Sequence, residues 1–446
     1  MKKMLSLAVT MAMTAVLAAC SSSPAETDRS SAGGEGSSEE GVTIEYWHIN
    51  SETQGGPVVE ELIEEFNETN DQNITVEGKF IANAYEGVSQ NLQAELAVGE
   101  YPGVVQVGWV YLNYFAENFP QYVSPETIIK DYVPEDEGYL EDTFEQNIID
   151  LGTSVNGTMV GLPYAASTPV VFYNADLFRE AGLDPDDPPE TLEEWIAAGQ
   201  AVKDSTGNEG LYYELADNAY TLCPMIMGTG TEVYQVNGDG NMEATFYTPE
   251  SVAMFEMWQA GFESGACSPL GSEEGLGVFA AGKMGATVQT IAKLSYMQES
   301  CDFDLRTAPF PRTGDEEDYT VCVGGNMLAC FSEDENEIKA CWEFMKFLYE
   351  DESMAKWVIG TGYLPVTRTA AENSETLQKF LDENELIQAS LETWGDAGAL
   401  PSWTGTSGMN VEQVLVDMRD SITLAYEDPD TVVREAQDEA NGLLGN

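Results

Sequence analysis

The chain has 446 residues, 43% hydrophobic and 10% aromatic, which is material for more than one packed core. Against 78 Asp and Glu stand 18 Lys and Arg, a formal net charge of -60. A field of that sign repels phosphate backbones and anionic bilayers, which excludes nucleic acid and the membrane surface as partners.

Residues 1–20, MKKMLSLAVTMAMTAVLAAC, carry Lys2 and Lys3 and then no charge as far as Cys20. The basic start and short apolar run read as a secretory signal, because a bilayer span needs about 20 apolar residues. Leu17-Ala18-Ala19-Cys20 resembles a bacterial lipobox, in which Cys20 becomes the first mature residue and carries the lipid, palmitate included. Residues 21–41, mostly Ser, Gly and Glu without apolar periodicity, read as a flexible tether. The expectation is a body at the cell surface, on the outer face of the cytoplasmic membrane, touching it through the lipid anchor only.

VTIEYWH, from Val42, reads as a strand. PVVEELIEEFNETN reads as a helix with Val58, Val59, Leu62, Ile63 and Phe66 on one stripe. NITVEGKF, AYEGVSQNLQAELAVG and GVVQVGW continue as strand, helix and strand. This alternation predicts a parallel sheet, with ligands beyond the carboxyl ends of its strands. That places Trp47, His48, Tyr85, Trp109 and Tyr111 near a cleft.

In LPYAASTPVVFYNADLF the chain thins to small residues before a buried-looking strand. Thr191 and Glu194 have the capping-box spacing at the start of LEEWIAAGQAVKD. NGDGNMEATF lacks calcium-loop spacing and reads as a turn between strands. TPESVAMFEMWQAGFESG is helical, FDLRTAPFPRTG a strand ending in two prolines, and TVCVGGNMLACF an apolar strand. Two helices, an extended exit at TGYLPVT, and C-terminal helices complete the chain. Trp195, Trp258, Trp342 and Trp357 fall on amphipathic helices and read as core. Trp47, Tyr85, Trp109, Tyr363 and Trp403 fall at strand ends or in loops, where binding residues concentrate. Six cysteines follow Cys20, in no zinc-binding pattern, and His48 is the single histidine. Their spacing leaves free thiols and disulfides equally open.

Taken in order, the lipobox, YWH, LPYAASTPVVFYNADLFREAGLDPDDPPETLEEW, FAAGKMGAT, VGGNML and TGYLPVT resemble the extracellular solute-binding proteins of ABC importers. The likeness is to the carbohydrate-type group and, within it, to glycerol-3-phosphate-binding proteins. The resemblance implies an α/β, two-lobed periplasmic-binding-protein type II fold with the ligand cleft between lobes joined by three crossings. The crossings would be Tyr164 to Thr168, Ala308 to Pro311 and Tyr363 to Pro365. Residues before proline are pushed extended, which suits straps between lobes. The lobes would be 42–164 with 309–364, and 165–308 with 365–446. By the same likeness Tyr85, Ser167, Tyr220, Gln289 or Thr290, Gly325 and Tyr363 would contact ligand, with Trp403 nearby.

Two departures from the group stand out. Trp109 takes the place of an acidic residue that grips glycerol hydroxyls, and Thr406 or Ser407 that of a phosphate-holding arginine. An arginine supplies a fork of donors suited to phosphate, whereas a tryptophan face suits a sugar ring. The expected ligand is therefore a neutral sugar or polyol, with glycerol phosphate or its diesters as the alternative; Arg306, Arg312 or helix N-termini would then supply the donors. A secreted glycoside hydrolase is the remote alternative. HExxH, GxSxG and the P-loop are missing, and no catalytic residue, cofactor or metal is expected. The expected partners are the solute and the transmembrane subunits of an ABC permease, met by a monomer.

Overall fold

The computed structural model describes residues 41–445, apart from 214–218, 238–240, 315–320 and 395–396. The signal, Cys20 and residues 21–40 of the tether lie outside these residues, and so does the tip of the NGDG turn.

Strands β1 (Val42–His48), β2 (Ile74–Phe80), β3 (Gly103–Gly108), β4 (Tyr122–Val123) and β5 (Leu162–Ser167) belong to one sheet. β6 (Pro169–Asn174) and β7 (Glu209–Tyr213) enter a second. β8 (Tyr234–Val236) and β9 (Met242–Ala244) pair by themselves. β10 (Met284–Thr290) and β11 (Leu305–Pro309) return to the second sheet, β12 (Cys322–Phe331) and β13 (Gly398–Ala399) to the first.

The opening alternation forms as expected. β1 lies between β2 and β3, parallel to both, with Tyr46 opposite Gly78 and Val104. α1 (Gly56–Thr69) buries Val59, Leu62 and Phe66 and leaves Val58 and Ile63 half-buried. α2 (Ala84–Val98) buries Val88 and Leu92 and ends on left-handed Gly99. The sheet is mixed rather than all-parallel, because β12 runs antiparallel to β3 and β5 antiparallel to β12. β12 arrives from the second sheet, so no crossover helix dictates its direction. The second sheet runs β11-β6-β10-β7, with β10 and β7 parallel and β6 antiparallel to both its neighbours.

The thinned stretch is a strand. All six residues of β5 are buried, and Gly325 in β12 comes so close that a Cβ there would lie 1.8 Å from the Ala165 carbonyl oxygen. The small residues thus serve backbone approach between β5 and β12, and the passage between sheets narrows to Thr168. There the Thr168 carbonyl accepts the Ile291 N–H (3.1 Å), and its hydroxyl meets that of Ser390 (2.5 Å).

The second expected crossing also moves. Ala308 is still in β11, and Arg312 exchanges backbone hydrogen bonds with Glu190 and Leu192, so the second passage falls after Arg312. Leu364 donates its N–H to Ala166 of β5 (2.7 Å). The two helices that follow, Arg368–Asn373 and Glu375–Glu383, pack on the helix Asp351–Thr361, and the short turn Glu385–Ile387 after them packs on β11. Proline straps are extended wherever they occur; pairing decides which sheet they join.

Trp195, Trp258, Trp342 and Trp357 are buried, as their helical stripes predict. The Thr191–Glu194 capping box forms with both of its hydrogen bonds. The six cysteines after Cys20 are free thiols, five of them buried.

Candidate functional site

The carboxyl ends of β1 and β3, the start of α2, the junction of β5 with β12, and the second sheet converge on a cavity of about 230 Å³. Clefts for small ligands start at about 300 Å³, so this one suits a small solute. Four tyrosines line it, Tyr85, Tyr111, Tyr220 and Tyr363, joined by the hydroxyls of Ser167, Ser272 and Thr290 and the amide of Gln54. Among the described residues lining it, Glu86 is the one charged side chain.

Three of the four tyrosines are held from behind. Tyr363 stacks on Trp357 (5.1 Å, 9°), which stacks on Tyr164 of β5 (4.7 Å, 24°), and its hydroxyl accepts from the Gln54 amide (3.2 Å). Tyr85 rests on Gly108, where a Cβ would come within 2.4 Å of the ring, and the Asn326 amide donates to its hydroxyl (3.1 Å). Tyr220 lies over Gly324, where a Cβ would come within 2.2 Å, and its hydroxyl meets the Ser167 hydroxyl at 3.4 Å. The paired glycines of VGGNML are thus the recess that admits the Tyr220 ring and the approach of β5. Burial raises the Tyr363 phenol to about 12, and raises Tyr85 well above the ordinary value, helped by Tyr363. These phenols stay neutral at physiological pH and serve as hydrogen-bond partners and apolar faces.

α2 begins with two consecutive left-handed residues, Asn83 (φ 64°) and Ala84 (φ 47°), and no side chain caps it. A non-glycine residue there costs about 1–2 kcal/mol. Asn83, Ala84 and Tyr85, at this uncapped start of α2, share the cavity wall.

Of the residues expected at the cleft, Tyr85, Tyr111, Ser167, Tyr220, Thr290, Gly325 and Tyr363 line the cavity. Of the pair Gln289 and Thr290, strand alternation turns Thr290 to the cavity and buries Gln289. Trp47 does not reach it: alternation along β1 puts it on the face with Glu45 (2.7 Å) and beneath Lys79, 4.3 Å above its ring. His48 takes the other face, against Tyr46 and Phe80. Trp109 starts a tight turn after β3 and is buried, so that Val110 and Tyr111 reach the wall instead. Trp403 is buried against Tyr234, and Ser407 sits half-buried before the helix Gly408–Thr423 without capping it. Arg306 pairs with Asp186 and Asp304, and Arg312 with Glu190, away from the cavity. Gln54, Ser272 and Leu400 line the cavity from loops and a helix start whose composition carries no signal.

The profile of the bacterial extracellular solute-binding protein family matches residues 61–384. The sn-glycerol-3-phosphate-binding periplasmic protein UgpB of Escherichia coli K12 is 26% identical over 430 residues, covering 90% of this chain and 92% of that protein. Among solved structures, UgpB from Mycobacterium tuberculosis in complex with glycerophosphocholine superposes with a TM-score of 0.78 at 20% identity, over 91% of this chain and 99% of that one. The GacH receptor of Streptomyces glaucescens, solved unliganded and with acarbose, superposes with a TM-score of 0.76 at 18% identity, over 92% and 100%. Those likenesses carry the fold, which is the two-lobed periplasmic-binding-protein type II fold. The chain belongs to the bacterial extracellular solute-binding protein family, the non-enzymatic capture components of ABC importers.

Proposed function

We propose that the protein captures a neutral polyhydroxylated solute, a sugar or polyol, and delivers it to a membrane permease. The wall of the cavity carries this reading: four tyrosines and several hydroxyl and amide groups stand beside Glu86, and no Lys or Arg joins them among the described lining residues. Aromatic faces cover the apolar side of a sugar ring while hydroxyls and amides meet its edge. A phosphate dianion would lose its hydration with no guanidinium or ammonium to replace it.

Glycerol phosphate, or a glycerophosphodiester, is the second reading. It is favoured by the uncapped start of α2 at the wall, whose N–H groups suit an anion, and by the likeness to the sn-glycerol-3-phosphate-binding protein of E. coli. A thermal-shift panel of neutral sugars, polyols, sn-glycerol 3-phosphate and glycerophosphocholine separates the two. At a hundred times its dissociation constant, the cognate solute stabilises by about 2.7 kcal/mol, a melting shift of roughly 5 °C or more. A shift confined to the phosphorylated solutes would replace the sugar reading with the second.

The lobes would then be the bodies built on the two sheets, closing as a monomer about Thr168 and the later passages. Cys20 would carry the lipid anchor, with residues 21–41 as its tether. Two acyl chains hold a protein to a bilayer where one is marginal. Replacing Cys20 with Ala should release the body to the medium or leave an unprocessed precursor; a variant still anchored and processed would refute the anchor.

A further inference from the structure

Buried in the helix Gly408–Thr423 is a carboxylate that the capture reading does not use. Glu412 is 2% exposed, and one of its oxygens accepts the Ala219 N–H at 2.6 Å. Ala219 directly precedes Tyr220, and its carbonyl accepts from Leu222 and Cys223 at the start of the helix Leu222–Met227. Tyr220 crosses to the first sheet, its ring over Gly324 and its hydroxyl at Ser167. A single charge-assisted hydrogen bond thus ties the tyrosine of the cavity wall to the C-terminal helix.

We propose that Glu412 is a positioning residue for solute capture, holding Tyr220 at the cavity wall through the Ala219 N–H, and that affinity falls when this carboxylate is neutralised. The proposal rests on the capture reading above and adds how the wall is set. A bond from N–H to a carboxylate is about twice as strong as one to a neutral oxygen, so protonation loosens the tether without abolishing it.

The surroundings put that change within reach of ordinary pH. Burial raises the Glu412 carboxyl to about 7, opposed by the Ala219 N–H, the indole of Trp403 and the charge of Arg419 on the same helix. Cys223 faces it from the helix Leu222–Met227, and Cys322 of β12 faces Cys223; burial raises both thiols, so they stay protonated as the carboxylate titrates. Affinity is therefore expected to be highest above neutrality and to decline as pH falls through it.

Glu412→Gln keeps the shape and removes the titration. In the wild type, amide exchange at Ala219 should be slow at about pH 8.5, and in the variant several-fold faster at that same pH. Calorimetric titrations with maltose and with glycerophosphocholine, at about pH 8.5 and about pH 5.5, give the second readout. The wild type should weaken several-fold towards acid for the solute that binds, and Glu412→Gln should hold the weaker affinity at both pH values. Equal Ala219 exchange in the two proteins, or a variant that keeps the wild-type pH profile, would overturn the proposal. If neither solute binds the wild type, the choice of solute fails, and the exchange at Ala219 still decides whether Glu412 holds the wall.

Discussion

Gly325 carries the tightest approach at the cleft. Its φ of 131° lies where side chains are rarely found, and a Cβ would sit 1.8 Å from the Ala165 oxygen. Gly325→Ala is expected to cost about 3 kcal/mol or more, the sum of backbone strain and a clash with an immovable carbonyl. Chemical denaturation measures the cost, and a loss under about 1 kcal/mol would mean that β5 and β12 can part. His48 offers a test of opposite character. Burial lowers its imidazole to about 4, and its Nδ1 has no hydrogen-bond partner. The unfolded chain takes up this proton near 6.5 and the folded protein only near 4, so stability is complete above 6.5 and declines between the two values. The loss should be roughly 3 kcal/mol, and His48→Leu should lose less than the wild type between neutral pH and about pH 4. Parallel declines in urea melts of the two proteins would show that the imidazole already has access to water.

α2 is the element on which strain and site meet. Asn83 before it and Ala84, its first residue, are both left-handed, and Tyr85 and Glu86 follow directly on the cavity wall. A helix started this way leaves its first amides without a side-chain cap. Ala84→Gly should stabilise the protein by about 1 kcal/mol, because glycine meets that φ without penalty. The same change should weaken solute binding, since the wall would lose the backbone that sets Tyr85. A variant no more stable than the parent, and binding equally well, would remove both halves of that argument. The β5–β12 pair is the second such element: its small residues and paired glycines trade side-chain bulk for backbone contact and for the seat of Tyr220.

For the whole molecule, the two sheets meet along few strands of chain. Thr168 joins β5 directly to β6, and the Leu364 N–H to Ala166 ties the extended segment after the helix Asp351–Thr361 to the same place. A single residue between two buried strands can absorb rotation without breaking either ladder, as hinges in closing proteins do. Saturating solute should therefore contract the body, seen as a smaller radius of gyration by small-angle scattering of the chain from Gly41 onward. Proven binding with an unchanged radius would mean that the lobes do not move about Thr168.

Much of this architecture is written in local pattern. The period of β1, α1, β2, α2 and β3, the capping box at Thr191 and the helical tryptophans each depend on neighbours within a few residues, and each forms as its pattern implies. The family likeness was legible in short motifs, and it carried Tyr85, Ser167, Tyr220, Gly325 and Tyr363 to one cavity. What local pattern could not decide was direction. Trp47 and Trp109 are aromatic residues at strand ends, as Tyr111 is, yet alternation along β1 and the tight turn after β3 point the two tryptophans away from the wall. Nor could it decide contact between distant segments. The small residues of LPYAAS read as part of a strap between lobes until β12 lies against them, and Glu412 is one carboxylate among many until folding sets it on the Ala219 N–H. Sequence dictates which segments bury a face, because that rests on periodicity. Which side chain meets which partner rests on packing across long separations, and only the tertiary structure decides it.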